Sequence, residues 1–262
     1  MNNLAQAVWV ELLKARRSRV PLFTALGFSI VPFVGGFFMI ILKDPELARR
    51  AGLISAKAQL LAGTADWPTY LSLLAQATAV GGIILFSIIA SWVFGREYSD
   101  RTVKDLLALP TSRSAIVLAK FLVILLWTAA ITGLMYLIGL AVGKAVALPP
   151  VPGEILTQGT LTLAVTACLT LLLVTPVAFV ASAGHGYLAP MGATILFVAL
   201  AQVVAIAGWG EYFPWSVPAL YSQIAGQGSA DLGTVSYAIV VLTGLAGAAG
   251  TLLWWELADQ SH

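Results

Sequence analysis

One charged stretch decides how the rest of this chain is interpreted, and it reads GREYSDRTVKDLLALPTSRSAIVLAK from Gly95 to Lys120. Long apolar runs lie on both sides of it. An apolar run of about 20 residues is long enough to cross the ~30 Å hydrocarbon core of a membrane. A charged side chain at the centre of that core costs about 2.5–3.5 kcal/mol. We therefore expect this stretch to lie outside the membrane, between two membrane-spanning helices.

The spacing of charges within the stretch predicts a short helix at the membrane surface. Two acid–base pairs have the i,i+4 spacing that supports a helix, namely Glu97 with Arg101 and Asp100 with Lys104. Thr102 and Asp105 have the spacing of a capping box, which would start a new helix. The two signals compete, so the helix either continues from the preceding span or restarts at Thr102.

The predicted helix is apolar along one side. Its apolar stripe consists of Val103, Leu106 and Leu107. Pro110 disfavours helical backbone before it, so we expect the helix to end at Leu109, and Thr111 or Ser112 can cap the next span. Such a helix suits docking into a groove of another protein. The alternative is a solvated loop whose basic residues only enforce membrane topology, and the pattern by itself slightly favours that alternative.

Composition assigns the whole chain to the membrane. Its 262 residues are 59% hydrophobic and 10% charged, with a mean hydropathy of +0.91. Soluble domains carry about 25% charged residues, so we expect an all-α integral membrane protein with one domain, residues 1–262. The net charge of +2 argues against a nucleic-acid partner. The single cysteine, Cys168, excludes an internal disulfide and a cysteine-based metal site.

Six apolar segments predict six membrane spans. They cover about residues 20–42, 71–94, 116–142, 158–183, 188–208 and 235–255. Residues 1–19 predict a cytosolic amphipathic helix on the membrane surface, with Trp9 at the interface. The apolar run that follows is too long for a signal peptide. Two outer loops also carry helical signals, an amphipathic repeat from Leu47 to Leu61 and an aromatic, proline-containing segment over 208–221 that predicts short extracellular helices.

Basic residues orient these spans. Nine lysines and arginines lie on the side of the chain termini, from Lys14 to Lys120, and five lie on the other side, from Lys43 to Lys144. Cytosolic loops of membrane proteins carry the excess of basic residues. We therefore expect both termini and the charged stretch to face the cytosol.

The sequence contains no pattern typical of a catalytic site or a metal site. The predicted spans hold no aspartate or glutamate well inside, and Lys120 and Lys144 lie near span ends, where an amine can reach the membrane surface. His185 is isolated in a short turn. The segment GLAVGKA over 139–145 is one residue short of a phosphate-binding loop and lacks the Ser or Thr after its lysine. We therefore expect a chain that is not an enzyme and binds no cofactor itself.

Polar and small residues within the spans predict helix packing. The polar ones are Gln76, Thr78, Thr166, Thr170, Thr175 and Gln202, and we expect hydrogen bonds between helices to explain most of them. Glycines at 139, 143, 244, 247 and 250 provide small faces for close helix contact, internal or between subunits. The pattern does not determine which residues line a path for cargo.

The charged stretch resembles a loop of a known transporter family. The string EYSDRTVKDLLALPTSRS, with Lys120 after it, is similar to the cytosolic loop between the second and third spans of type-2 ATP-binding-cassette (ABC) permeases. The branch that it resembles is the bacitracin- and lantibiotic-resistance branch. In that family the loop carries a coupling helix that contacts a separate ATPase subunit. The resemblance implies this role for Glu97, Arg101, Thr102, Val103, Leu106, Leu107, Pro110 and Arg113.

The resemblance also implies a function for the whole chain. It would be one permease of an ABC transporter in a bacterial plasma membrane, paired with a second copy or a similar permease. Two ATPase subunits would bind ATP and Mg²⁺, and an amphiphilic cargo would be exported. One alternative is a secondary transporter, for which ionisable or broken-helix sites at mid-membrane are expected, and the missing buried carboxylates count against it. A second is an intramembrane enzyme, and the missing catalytic constellation counts against that. A non-transport assembly protein is a third, for which the sequence has no positive feature.

Overall fold

The chain forms a bundle of helices in a computed structural model that describes residues 3–44, 64–108, 110–222 and 232–257. All regular elements in these ranges are helical, and six of the helical segments are long and apolar enough to cross a membrane. The predicted all-α membrane architecture with six spans is therefore confirmed. The amphipathic repeat predicted between Leu47 and Leu61 lies outside the described residues.

The helices follow one another through mostly short connections. In chain order they are α1 (Asn3–Arg17), α2 (Val20–Lys43), α3 (Trp67–Ser99), α4 (Val103–Leu107), α5 (Arg113–Ala145), α6 (Gly153–Leu172), α7 (Thr175–Ala183), α8 (Leu188–Ile206), α9 (Val217–Tyr221) and α10 (Thr234–Leu257). Two 3-10 turns, Gly210–Tyr212 and Pro214–Ser216, lie between α8 and α9. The spans are α2, α3, α5, α6 together with α7, α8 and α10. The short helices predicted over 208–221 are present.

Helix α3 is longer at both ends than the predicted second span. It begins at Trp67 because the Asp66 carboxylate caps it, accepting a hydrogen bond of 2.9 Å from the Thr69 N–H. Burial acts to raise the pKa of Asp66, but hydrogen bonds from Thr64 and Thr69 outweigh burial and hold this pKa below its ordinary value. At its other end α3 continues to Ser99, which brings part of the charged stretch into the bundle.

The fourth span is not the continuous helix that hydropathy predicts. Helix α6 ends at Leu172 and α7 begins at Thr175, because Pro176 has no N–H and its ring crowds the Leu172 carbonyl. The Thr175 hydroxyl donates to the Leu172 carbonyl at 3.0 Å and also contacts the Gly244 carbonyl of α10. Gly247 lets α10 approach this break, since a Cβ there would lie 2.3 Å from the Pro176 nitrogen.

Several polar residues of the spans hydrogen-bond within their own helix. The hydroxyls of Thr78, Thr166 and Thr170 each donate to the carbonyl four residues earlier, at distances of 2.7 to 2.9 Å. A threonine hydroxyl in a helix can be satisfied in this way without a neighbouring helix. The prediction of interhelical bonds is therefore wrong for these three threonines and correct for Thr175.

Helix α3 lies at the centre of the bundle, where it contacts α2, α5, α6, α7 and α8. Its largest buried side chains are those of Tyr70, Phe86 and Phe94. Gly139 and Gly143 bring α5 close to α3, since a Cβ at either position would lie within 2.7 Å of an α3 side chain. The small faces predicted on α5 and α10 thus serve packing inside this chain.

Contacts between distant residues show which helix ends share a face. Lys14 of α1 bonds to Glu97 near the end of α3, and Arg113 at the start of α5 bonds to carbonyls at the end of α10. At the opposite face Lys43 of α2 donates to carbonyls at the end of α5. We call the first face the charged end. The first and last described helices both reach it, in agreement with the prediction that the two termini share one side.

Candidate functional site

The charged stretch begins with a tight turn that ends α3. The Arg101 N–H donates to the Tyr98 carbonyl at 3.2 Å, and the Thr102 N–H donates to the Glu97 carbonyl at 2.8 Å. These two bonds form a Schellman motif, in which the first residue beyond the helix adopts left-handed backbone. That residue is Arg101, with φ of 58°. Of the two predicted alternatives, the helix therefore restarts after the turn as α4.

The capping box predicted at Thr102 is wrong. Thr102 precedes α4, but its side chain makes no capping hydrogen bond. The Schellman turn holds its backbone at φ −98° and ψ 3°, whereas a capping residue normally has extended backbone. Helix α4 also ends at Leu107, two residues earlier than predicted. The Ser112 hydroxyl does cap α5 as predicted, accepting from the Ala115 N–H at 3.3 Å.

Helix α4 turns two of its apolar side chains toward its own bundle. Val103 is buried, and Leu106 is half-buried against the core. The side chain of Leu107 lies outside the described structure. The exposed residues of the segment include Arg101, Thr102, Lys104, Asp105 and Pro110. Val103 and Leu106 thus pack α4 against the bundle, and several polar side chains of the segment remain exposed for a partner.

Four charged side chains meet where α1, α3 and α5 come together. The Lys120 amine is fully buried and donates to Glu97 Oε1 at 2.8 Å and to Glu11 Oε2 at 3.3 Å. It also donates to the Val93 carbonyl at 2.8 Å. The Lys14 amine donates to Glu11 Oε1 at 2.6 Å and to Glu97 Oε1 at 2.8 Å. We call Glu11, Lys14, Glu97 and Lys120 the ion cluster.

The ion cluster overturns two predictions. Glu97 pairs with lysines of other helices and not with Arg101, and Lys120 is buried and does not reach for the membrane surface. An exposed i,i+4 pair contributes only about 0.2–0.5 kcal/mol, whereas a buried amine without acceptors is far more costly. The carboxylate of Glu97 therefore pairs with the buried amine of Lys120. The i,i+4 pair that does form nearby joins Arg96 to Asp100 at 3.1 Å.

Electrostatics within the ion cluster keep Lys14 charged. Burial acts to lower the pKa of Lys14, but the carboxylates of Glu11 and Glu97 outweigh burial and raise that pKa above its ordinary value. Because the pKa of Lys14 is higher in the folded than in the unfolded protein, the pairing of its amine stabilises the fold at pH values below the unfolded-state pKa. This stabilisation is lost only as the pH rises through the folded-state pKa. The Lys14 amine therefore stays charged at neutral pH, where it pairs with the side chains of Glu11 and Glu97.

Arg113 joins the charged stretch to the last span. Its guanidinium donates to the carbonyls of Trp255 and Glu256 at 3.1 and 3.2 Å. Carbonyls in the last turn of a helix lack intrahelical partners and carry partial negative charge, so a cation is favoured there. One of the predicted coupling residues thus links the start of α5 to the end of α10.

Sequence reasoning missed Glu11, Lys14 and Lys120 as parts of this site. A signal was present, because a lysine within an apolar run needs a buried acceptor or a route to water. The identity of that acceptor was not predictable from spacing, since 109 residues separate Lys120 from Glu11 and 23 separate it from Glu97.

A second feature is an apolar groove between α2, α3 and α8, with a volume of about 610 Å³. Its polar lining includes the side chains of Gln76 and Gln202, two residues that the sequence singled out. The Gln76 amide donates to the Ser72 hydroxyl at 3.0 Å. The fold thus brings two amide side chains from different spans to one apolar groove.

The described ranges contain no group of three or more His, Cys, Asp or Glu residues that could hold a metal ion. Cys168 is exposed. The His185 ring lies 4.9 Å from the Tyr98 ring at the charged end, in the turn between α7 and α8. Its neighbours include the aromatic rings of Tyr98 and Trp254, and the residue itself is exposed.

Comparison with known proteins connects this geometry to a family. The family model described as "ABC-2 family transporter protein" matches residues 7–201, which include the ion cluster, α4 and most of α8. The bacitracin transport permease protein BCRB of Bacillus licheniformis is 28% identical over 183 residues, covering 68% of this chain and 85% of that protein. The matched region is well over half of the chain and contains four of the six spans in full and most of the fifth. The chain therefore belongs to the ABC-2 transporter family and is a multi-pass permease subunit of an ABC transporter.

Proposed function

We propose that this permease is one of the two membrane-spanning subunits of an exporter and that residues 97–113 dock onto a separate ATPase subunit. The observation that carries the proposal is the position of α4. This short helix packs on the bundle at the charged end and exposes polar side chains. A partner that binds this surface acts directly on the ends of α3 and α5. ATP hydrolysis on the partner would in this way move two spans at once.

The proposed assembly contains two permeases and two ATPase subunits in a bacterial plasma membrane. The second permease is another copy of this chain or a similar one. ATP and Mg²⁺ bind to the ATPase subunits, and this chain binds neither. The charged end faces the cytosol, because the excess of lysine and arginine lies on that side.

The proposed docking residues have different tasks. Val103 and Leu106 anchor α4 on the bundle, and Glu97 and Arg113 tie its two flanks to neighbouring helices. The residues that we expect to contact the ATPase are Arg101, Thr102, Lys104, Asp105, Leu107 and Pro110. Charged contacts of this kind at an interface favour specificity and rapid association.

The proposed cargo is an amphiphilic molecule that already resides in the membrane, such as a peptide antibiotic or a lipid-like compound. The groove of α2, α3 and α8 supports this class, because it offers apolar surface together with the amides of Gln76 and Gln202. A small ion would need partners to replace its hydration, and an unpartnered desolvated ion is very costly. The name of the bacitracin permease relative points to the same class.

Docking is tested by co-purification with the ATPase encoded beside or co-expressed with this permease. We expect Lys104→Glu to reduce the retained ATPase at least tenfold, because it reverses a charge on the proposed contact surface. The matched control is Lys144→Glu, which reverses the charge of another exposed lysine, at the end of α5 that lies away from α4. Equal retention by both variants would remove the docking role of α4.

Transport is tested in liposomes that contain the permease and its ATPase. We expect ATP-dependent movement of an amphiphilic peptide away from the ATPase-bearing face, and stimulation of ATP hydrolysis by the same peptide. The broken fourth span is a feature that is typical of secondary transporters. Transport driven by an imposed proton or sodium gradient without ATP would favour that alternative, and ATP-driven movement of a small ion alone would refute only the cargo class.

A further inference from the structure

We propose that Glu97 and Lys120 are positioning residues that transmit movement of the docking loop, residues 97–113, to α1. This inference rests on the docking function proposed above. Glu97 makes two kinds of contact. Its backbone carbonyl accepts the 2.8 Å bond from Thr102 that holds the turn before α4. Its carboxylate accepts bonds of 2.8 Å from Lys14 of α1 and from Lys120 of α5. One residue therefore joins the docking helix to two other helices.

Three of the four members of the ion cluster are shielded from water, whereas the Lys14 side chain is 25% exposed. Glu97 is 3% exposed, Glu11 is 5% exposed and Lys120 is fully buried. Opposite charges attract more strongly in such surroundings than at a surface, and separating them leaves buried charges without partners. A displacement of the last turn of α3 is therefore expected to move Lys14 and α1 with it.

The Glu97 carboxylate has room for a second arrangement. Its Oε1 accepts from both lysines, while its Oε2 is buried and has no hydrogen-bond partner among the described residues. Rotation of the carboxylate would bring one lysine to Oε2 and keep both charges buried. Coupling between distant sites requires an element with two discrete arrangements, and this inference assigns the second one to the rotated Glu97 carboxylate.

Helix α1 is placed to pass such a movement onward. Its inner side buries Glu11 and Ala15 against α5, while Trp9 and Val10 are exposed on its outer side. Only residues 18 and 19 separate α1 from α2. Helix α2 in turn forms one wall of the apolar groove. The connection thus runs from the docking loop through Glu97 and α1 to the proposed cargo groove.

The test uses the permease–ATPase complex in liposomes, with a spin label on a cysteine at exposed Ala5 of α1 in a Cys168→Ser background. ATP addition should change the mobility of this label in the parent protein. Glu97→Gln should still retain the ATPase, but the label response and the stimulated ATP hydrolysis should each fall at least fivefold, the lower end of ordinary coupling between sites. A merely structural role would lower the yield of the complex without separating ATPase binding from the label response.

Two further variants keep the test decisive. Glu154→Gln makes the same chemical change at an exposed carboxylate of the opposite face and should leave both signals unchanged. Glu97→Gln combined with Lys120→Met removes one acid and one base together, so that a loss of response cannot be assigned to an unpaired buried charge. Parental hydrolysis and label response in this double variant would overturn the inference. Failure of the parent to retain the ATPase would instead overturn the docking function, and the inference with it.

Discussion

At the scale of single residues, Lys120 determines how strongly the charged end depends on its ion pairs. Its amine is fully buried and has three acceptors, two carboxylates and the Val93 carbonyl. A buried ion pair contributes little net stability relative to apolar residues of similar size. Removal of one partner, however, leaves the other charge buried without a counter-charge, which is strongly destabilising. The four members of the ion cluster are therefore expected to tolerate paired changes better than single ones.

The first prediction concerns Lys120→Met. We expect it to destabilise the permease by about 3–5 kcal/mol, because the carboxylates of Glu11 and Glu97 lose a buried amine. Lys144→Met is the control, since this exposed lysine near the other end of the same helix should change stability by less than about 0.5 kcal/mol. The measurement is thermal unfolding in detergent. Equal tolerance of both changes would mean that the Lys120 amine reaches the membrane surface after all.

The second prediction concerns the left-handed position of Arg101. A residue with a side chain loses about 1–2 kcal/mol in this conformation relative to glycine, so Arg101→Gly should raise the stability of the loop. The same change removes a guanidinium from the proposed docking surface and should weaken ATPase retention. Arg101→Asn serves as the control, because asparagine tolerates left-handed backbone and also lacks the charge. Lower thermal stability of Arg101→Gly would contradict the assigned turn.

At the scale of elements, the break between α6 and α7 shows how one helix can depend on another. Pro176 interrupts the fourth span, and the Thr175 hydroxyl accommodates the interruption by bonding to carbonyls on two helices. Interrupted spans persist in membranes only where neighbouring groups satisfy the freed backbone. Helix α10 supplies that neighbour because Gly244 and Gly247 allow its close approach.

The third prediction is that Gly247→Ala destabilises the permease by about 1–3 kcal/mol. Its Cβ would meet backbone atoms of Thr175 and Pro176 within 2.6 Å, and backbone cannot move aside as a flexible side chain can. Gly133→Ala is the matched control, since no atom lies within 4 Å of a Cβ built there. Yield and thermal unfolding in detergent provide the measurement. Indistinguishable stability of the two variants would show that α10 does not pack on the break.

At the scale of the whole molecule, the bundle gathers at one end the elements that we propose to meet the ATPase. The ion cluster, the Schellman turn, α4 and the contacts of Arg113 all lie at the charged end. The opposite face carries the short helical turns over 210–221. This asymmetry is what a permease needs if one face meets a soluble ATPase.

The fourth prediction concerns orientation, measured with cysteines in a Cys168→Ser background. A cysteine at Glu154, which is exposed at the start of α6, should react with a membrane-impermeant thiol reagent on intact cells. A cysteine at exposed Thr102 should react only after the cells are lysed. The opposite labelling pattern would invert the orientation and exclude a cytosolic partner for α4.

Local and compositional patterns of the sequence determined a large part of this structure. The six spans follow from apolar length, because uninterrupted helix is the cheapest way to satisfy backbone hydrogen bonds in lipid. The Ser112 cap and the short turns after α8 depend on residues close in sequence, so they were also predictable. The family resemblance of the charged stretch likewise required only its own residues.

Only the tertiary structure decided which partners the charged residues take. Glu97 could satisfy the i,i+4 pattern with Arg101, a gain of about 0.2–0.5 kcal/mol, or satisfy a buried lysine, whose unpaired cost is several times larger. The larger energy prevails, but it exists only once α1, α3 and α5 are packed together. The inward side of α4 is decided in the same way, because Val103 and Leu106 find apolar neighbours only in the folded bundle. Long-range contacts settle such choices because burial, which sets their energies, is a property of the fold and not of sequence spacing.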